Sequence, residues 1–232
     1  MGLNEIATRF KSSAEFKLRL DLLKQSQAFA ENSQTITTAY QNVIYAIETN
    51  MESSAFKETL IKVLEIGNFM MAGTYGGSAS GFKMKTLLKL RDTRSNVPRM
   101  TLLHYLRQKL DDDVFDAWVT ESAIYREASK VDLDFYGKEI STIEKSSKIL
   151  ETKANKFEDI SAQYAEFFQQ STLELNNIKN IQNRSETLRT DLIVRIGEDA
   201  GKFKISEHFT VLADFGDQLK KVNDELLQIK KD

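Results

Sequence analysis

The chain has 232 residues, and few of its side chains could do chemistry. Their spacing argues against a reaction. The nearest approach to a phosphate cradle is the pair Gly76 and Gly81, which have the Gly-x-x-x-x-Gly separation of a P-loop. That loop needs Lys and then Ser or Thr directly after the second glycine, with a buried strand before the first. Here Phe82 follows Gly81, Lys83 comes one place late, and the flank reads as helix. We therefore read a helix–loop–helix turn whose glycines permit close backbone packing. His104 and His208 stand alone, with no second His three or four places on, so a helical metal site lacks ligands. His104 lies inside TLLHYL, the setting of a structural, hydrogen-bonded histidine. The run Asp111-Asp112-Asp113 has neither the glycine nor the closing Glu of an EF-hand, and helix capping accounts for it better. Cysteine is absent, which removes disulfides and thiolate ligands. No Ser/His/Asp arrangement can be assembled. The reading is of a protein that is not an enzyme and uses no cofactor and no metal.

The elements that hold these residues are helical in pattern. A single proline, Pro98, leaves helices free to run long. Ile6, Phe10, Phe16, Leu18, Leu20, Leu22, Leu23 and Phe29 predict an amphipathic helix over 4–30, broken near Ser12-Ser13. Ile36, Tyr40, Val43, Ile44 and Ile47 predict a buried helix over 33–50. Ser53 or Ser54 can cap the next, which carries Phe56, Leu60, Val63 and Leu64. Five of the ten glycines then fall between Gly67 and Gly81, before a second amphipathic helix with Leu87, Leu88 and Leu90. Trp118 reads as core. Between Gly137 and Gly197 there is neither proline nor glycine. A continuous helix there would span on the order of 80–90 Å at ~1.5 Å per residue. It must fold back as an antiparallel hairpin or project, and Gln169 to Thr172 is where a break is foreseen. Ser206 is the expected cap of a last helix carrying Phe209, Leu212, Phe215, Leu219, Val222 and Leu226.

Charge narrows the partners. Lys plus Arg is 32 against Asp plus Glu 34, a net charge of -2, so nothing global favours nucleic acid or an anionic membrane. No apolar run approaches the ~20 residues of a membrane span, and the N-terminus lacks a signal-peptide core. The Met-Gly start fails the myristoylation pattern at Ile6. Locally, however, 83–109 holds Lys83, Lys85, Lys89, Arg91, Arg94, Arg99, Arg107 and Lys109, with Asp92 as its acid. A solvated helix face is one reading. A salt-sensitive docking face for an acidic partner is the other. Nucleic acid is disfavoured because aromatics for base stacking are not interleaved with these cations.

One string is more specific. Gly67-Asn68-Phe69-Met70, the glycine-rich loop, Gly81-Phe82-Lys83, Leu87-Leu88-Lys89-Leu90, Asp92-Thr93 and Met100-Thr101-Leu102-Leu103-His104-Tyr105 follow one another in that order. The string resembles the formin homology-2 domain, the actin-assembly domain of formins. Met71 stands where the family usually has Asn, and Arg94 where it has Lys. Arg19-Leu20-Asp21-Leu22-Leu23 is similar to the end of the family's knob, and Gly197-Glu198-Asp199 to its tail.

The resemblance implies an all-α, elongated domain. It would comprise partial knob-like helices at 1–30, a post-like helical subdomain at 31–135, and a long helical, coiled-coil segment with a C-terminal helix at 136–232. The family's lasso, linker and first knob helices have no counterpart here, and the natural protein is expected to be longer. The implied activity is binding of filament barbed ends and promotion of actin nucleation and elongation, in the cytoplasm and on the cytoskeleton. Lys83, Lys89, Arg91 and Arg94 are the actin-binding candidates. Gly67, Asn68, Phe69, Met70 and Met71 are the candidates for receiving the lasso of a second protomer. Met71 replaces an amide by a thioether, at best a weak acceptor, and is expected to weaken that capture. With a post but no lasso, the chain is expected to be monomeric, or dimeric by another surface, and a poor nucleator alone. The alternative is a helical scaffold or coiled-coil adaptor without actin binding. It explains the periodicity equally well but not the order of the string from Gly67 to Tyr105.

Overall fold

A seam of apolar residues runs through Leu18, Leu22, Phe29, Ile36, Tyr40, Val43 and Ile47 at three-, four- and seven-residue steps, and all seven are buried. In the structure, a computed structural model, that seam belongs to one helix, α1 (Ser13–Glu52). The two helices expected at 4–30 and 33–50 are therefore fused from Ser13 onward. The physical reason is plain: neither glycine nor proline interrupts 30–35. The structure describes residues 13–74, 77–94 and 97–229. The expectations placed on Ile6, Phe10, Ser12 and Gly76 fall outside them.

The remaining elements are α2 (Ser54–Met70), a 3₁₀-helix (Met84–Arg91), α3 (Leu102–Lys109), α4 (Asp112–Ser129), α5 (Leu133–Ala154), α6 (Glu158–Ile196) and α7 (Ile205–Ile229). The fold is all-α, as expected, with no strand among the described residues. The long stretch after Gly137 does break, but at Asn155–Phe157 rather than near Gln169 to Thr172. There the Lys156 N–H bonds the Lys153 carbonyl at 3.2 Å and the Phe157 N–H bonds the Ala154 carbonyl at 2.9 Å, so turns closed three residues back interrupt the α-helical ladder. Ser171 and Thr172, by contrast, bond back to the Phe168 carbonyl and stay helical.

The chain forms two compact units. The first comprises the described part of α1 up to Gln41 together with Asp132–Glu186. There α5 and α6 fold back on each other as an antiparallel hairpin against the start of α1. Leu18, Leu22, Leu150, Ala154, Ile160 and Phe168 fill one end, and Ile36, Tyr40, Ile140 and Ile178 the other. Lys179 reaches from α6 to Glu144 on α5 at 2.7 Å. Hydrogen bonds from Lys148 and then from Lys179 hold that carboxyl well below the usual range, at about 2.

The second unit comprises Asn42–Val131 with Thr187 to the C-terminus, and α4 packed on α7 is its centre. Trp118 is fully buried, edge-on to Phe215 with centroids 4.9 Å apart, and its Nε1–H donates to the Thr59 hydroxyl at 2.7 Å. The stripe Phe209, Leu212, Phe215, Leu219, Val222 and Leu226 is buried throughout. α6 ends in a Schellman motif. Gly197 sits at φ 67°, the Glu198 N–H bonds the Ile193 carbonyl, and the Gly197 N–H bonds the Val194 carbonyl. α7 then begins at Ile205, so Ser206 lies inside the first turn instead of capping it.

At Gly216, α7 lies close against α4. A Cβ there would stand 2.4 Å from Ser122 Cβ. On an exposed helix, Gly→Ala gains up to about 1 kcal/mol. At this position the sign reverses, because two helix backbones would have to separate. Gly216→Ala is expected to lose about 2 kcal/mol by urea unfolding, within the range typical of overpacking. Adding Ser122→Gly should recover part of that loss.

Candidate docking surface

α2 begins where the Ser53 hydroxyl accepts from the Phe56 N–H at 2.9 Å, which settles the cap between the two serines. Its last turns carry the string Gly67 to Met70. Phe69 is 84% exposed, Met70 54% and Met71 47%, three large apolar side chains in succession facing water. A soluble surface seldom leaves such a run uncovered unless something binds it.

The loop that follows is stitched to the helix end. The Met71 carbonyl accepts from the Thr74 N–H (3.0 Å) and from the Thr74 hydroxyl (2.7 Å), and the Thr74 carbonyl accepts from the Gly77 N–H. A Cβ on Gly77 would lie 2.4 Å from the Met71 oxygen, so close backbone approach holds at this glycine. It does not hold at Gly67 and Gly81, where a Cβ would meet nothing within 4 Å. Between α2, the returning loop and the 3₁₀-helix lies a groove of about 410 Å³. Its walls include Val63, Met70 and Met71 on one side and Phe82 and Leu90 on the other. Gly67, Asn68 and Lys89 also line it. Gly67, Asn68, Met70 and Met71 of the apolar string and Lys89 of the cationic helix therefore meet at one groove.

The segment carrying Leu87, Leu88 and Leu90 is a 3₁₀-helix, not the α-helix its amphipathic pattern suggests. Three residues per turn stack side chains in three rows. Met84, Leu87 and Leu90 form one row, in which Leu87 and Leu90 are buried. Lys85 and Arg91 fall in a second row that meets acids of α7, Lys85 pairing with Glu207 at 3.2 Å and Arg91 with Glu225 at 3.0 Å. Thr86 and Lys89 fall in the third, facing the groove. The basic run is thus divided by the fold. Arg107 is likewise internal, bonding Asn223 and Asp112 and lying over the Phe115 ring. Lys83, Lys89 and Arg94 are exposed, and among the described residues they enter no ion pair.

His104 is structural. Its Nδ1 accepts from the Thr101 N–H at 3.1 Å, completing a capping box at the start of α3, and its Nε2 donates to Glu225 at 3.1 Å. Glu225 therefore holds both Arg91 and His104 and ties the 3₁₀-helix and α3 to α7. Asp111 is the N-cap residue of α4 but makes no side-chain capping bond. Asp112 and Asp113 lie in the first turn, where the helix dipole favours them. Among the described residues no group of three or more acids and histidines could hold a metal ion. No helix among them is long and apolar enough to cross a membrane.

His208 is buried against Phe203 and Phe209, and its Nε2 faces the Asn50 side-chain oxygen at 3.3 Å. Burial lowers its pKa from 6.5 to about 4. The unfolded chain then takes up a proton, as pH falls below 6.5, that the native ring refuses until about 4. The stability this ring contributes is complete above 6.5 and is lost as pH falls through 4. Between pH 7 and pH 5 the wild type should lose about 2 kcal/mol more than His208→Gln, read by denaturant unfolding at both pH values.

Sequence periodicity foresaw neither the separation of the cations nor the acids that neutralise some of them. Glu207 and Glu225 lie more than a hundred residues away along the chain. The family resemblance singled out Asn68, but no sequence signal marked the pairing of its side chain with Ala79 across the loop.

The family model of the Formin Homology 2 Domain matches residues 8–220. The chain belongs to that family and is an FH2 domain of a formin. It is 26% identical to Formin-A of Dictyostelium discoideum, over 97% of this chain and 19% of that protein. It is 27% identical to human Disheveled-associated activator of morphogenesis 1 (86% of this chain, 20% of that protein) and 26% identical to human Protein diaphanous homolog 2 (86% and 18%). The chain thus spans about a fifth of the length of these relatives.

Proposed function

We propose that this chain is an actin-binding module of a formin, acting at filament barbed ends in nucleation and elongation, in the cytoplasm and on the cytoskeleton. Its work is binding across helical surfaces, with no bond made or broken. In this reading 31–135 is the post, and Lys83, Lys89 and Arg94 meet an acidic face of actin. Arg91, held by Glu225, shapes the cationic helix from behind. The groove beside Gly67, Asn68, Phe69, Met70 and Met71 receives the lasso of a second FH2 protomer.

The observation that carries this reading is the sorting of the cations. Those in the row facing α7 are matched by its acids, whereas Lys83, Lys89 and Arg94 are left outward. Outward, unmatched charge beside an exposed apolar string is suited to a partner that is acidic and partly apolar. A helical scaffold without actin binding has no use for that division.

Pelleting with actin filaments at low and at high ionic strength tests the reading. Binding that is present at low salt and weakens as salt rises is the expected result. No pelleting at either salt, with the fold intact by circular dichroism, would contradict it.

A further inference from the structure

The amide of Asn68 is already engaged within the chain. Its Oδ1 accepts from the Ala79 N–H at 2.9 Å, and its Nδ2 donates to the Ala79 carbonyl at 3.0 Å. One side chain thereby satisfies both main-chain groups of a residue eleven positions on, as a neighbouring strand would. Asn is suited to this by carrying a donor and an acceptor side by side on a short stem. Asp offers only acceptors, and Gln is a methylene longer. Among the described residues no other hydrogen bond joins 78–82 to α2. The first half of the loop has its own bonds through Thr74; the second half, which carries groove residues Ala79, Gly81 and Phe82, hangs on this clamp.

We propose that Asn68 is a positioning residue: it fixes the Ala79–Phe82 wall of the groove so that a docking protein segment meets a preformed site, and it does not itself touch that segment. The proposal rests on the reading of the groove as the place where a partner's lasso docks, and it replaces direct recognition by Asn68 with preorganisation. An unclamped wall would have to be ordered during binding, at a cost in affinity. Gly77 serves the same end, since a side chain there would push the loop off the Met71 carbonyl.

The test uses the full chain and a fluorescent synthetic peptide of the family's lasso. Asn68→Ala removes the clamp from one side. Ala79→Pro removes the bonded N–H from the other and leaves the Asn68 amide in place. Each change should weaken peptide binding about tenfold, the scale of ordering a few loop residues. Asn68→Ala should also speed hydrogen exchange at the Ala79 amide, whose N–H the clamp bonds, and the double variant should bind no worse than either single one, because both break the same contact. Asn68→Asp keeps one bond of two and should fall between; it also serves if Asn68→Ala misfolds. Wild-type affinity in Ala79→Pro beside weak binding in Asn68→Ala, or losses that add, would show direct contact and overturn the proposal. Unchanged exchange at the Ala79 amide in Asn68→Ala would overturn it without any ligand. Failure of the wild-type chain to bind the peptide would instead count against the docking reading, with the exchange result still deciding the clamp.

Discussion

Trp118→Ala is expected to cost about 4 kcal/mol, the upper part of the range for emptying a buried aromatic site. The ring is fully buried and touches aromatic partners on three helices: Phe56 on α2, Tyr125 on its own α4 and Phe215 on α7. Removing it opens a cavity at their junction and leaves the Thr59 hydroxyl, also fully buried, without its indole donor. Trp118→Phe keeps most of the contacts and loses the N–H, so about half of that cost is expected. Typical domain stability is of order 5–15 kcal/mol, so the alanine variant should melt well below the wild type in calorimetry. Because α2 carries one wall of the groove, peptide binding should disappear as the second unit melts.

The second large effect is electrostatic. Replacing Lys83 and Lys89 together by Asp should weaken binding to actin filaments at least tenfold at low salt. An exposed pair contributes roughly 0.2–1 kcal/mol, and reversal adds repulsion to the lost attraction at each of two positions. The difference from wild type should shrink at high salt, since the Debye length falls to about 3 Å at 1 M. Lys85→Asp is the informative comparison. Lys85 is 74% exposed, yet it lies in the row that pairs with Glu207. A single reversal there should weaken binding less than Lys89→Asp does, although each changes net charge by the same amount. Equal losses would mean that only overall charge matters and that the division of the 3₁₀-helix into rows has no part in binding.

Much of the fold was legible in the sequence because helical burial repeats every three or four residues. The stripe from Phe209 to Leu226 announced α7, and the absence of glycine and proline before Gly197 announced long helices. Where expectation and structure part, a local hydrogen bond or a distant partner decided. Backbone turns at Lys156 and Phe157 stop α5, and nothing in apolar periodicity reports that. Leu87 and Leu90 are three apart, a spacing shared by α- and 3₁₀-helices, so the tighter helix could not be told from the α-helix. The groove was legible as a glycine-rich string and a family resemblance, but its walls were not. Asn68 bonds backbone rather than a complementary side chain, and any residue but proline at position 79 would present the same N–H and carbonyl. Arg91 could not be told from Lys89 by type or neighbours. Only the fold brings Glu225 to one and leaves the other facing the groove.

The central claim is that the glycine-loop groove and the cationic helix beside it form a docking face for protein partners. Amide hydrogen exchange of the chain with and without actin filaments, at low ionic strength, tests it most directly. Slower exchange over 83–94 and the adjoining end of α2, with α5 unchanged, is the expected result. Protection confined to the unit built on α5 and α6, or none anywhere while the helices remain folded, would contradict it.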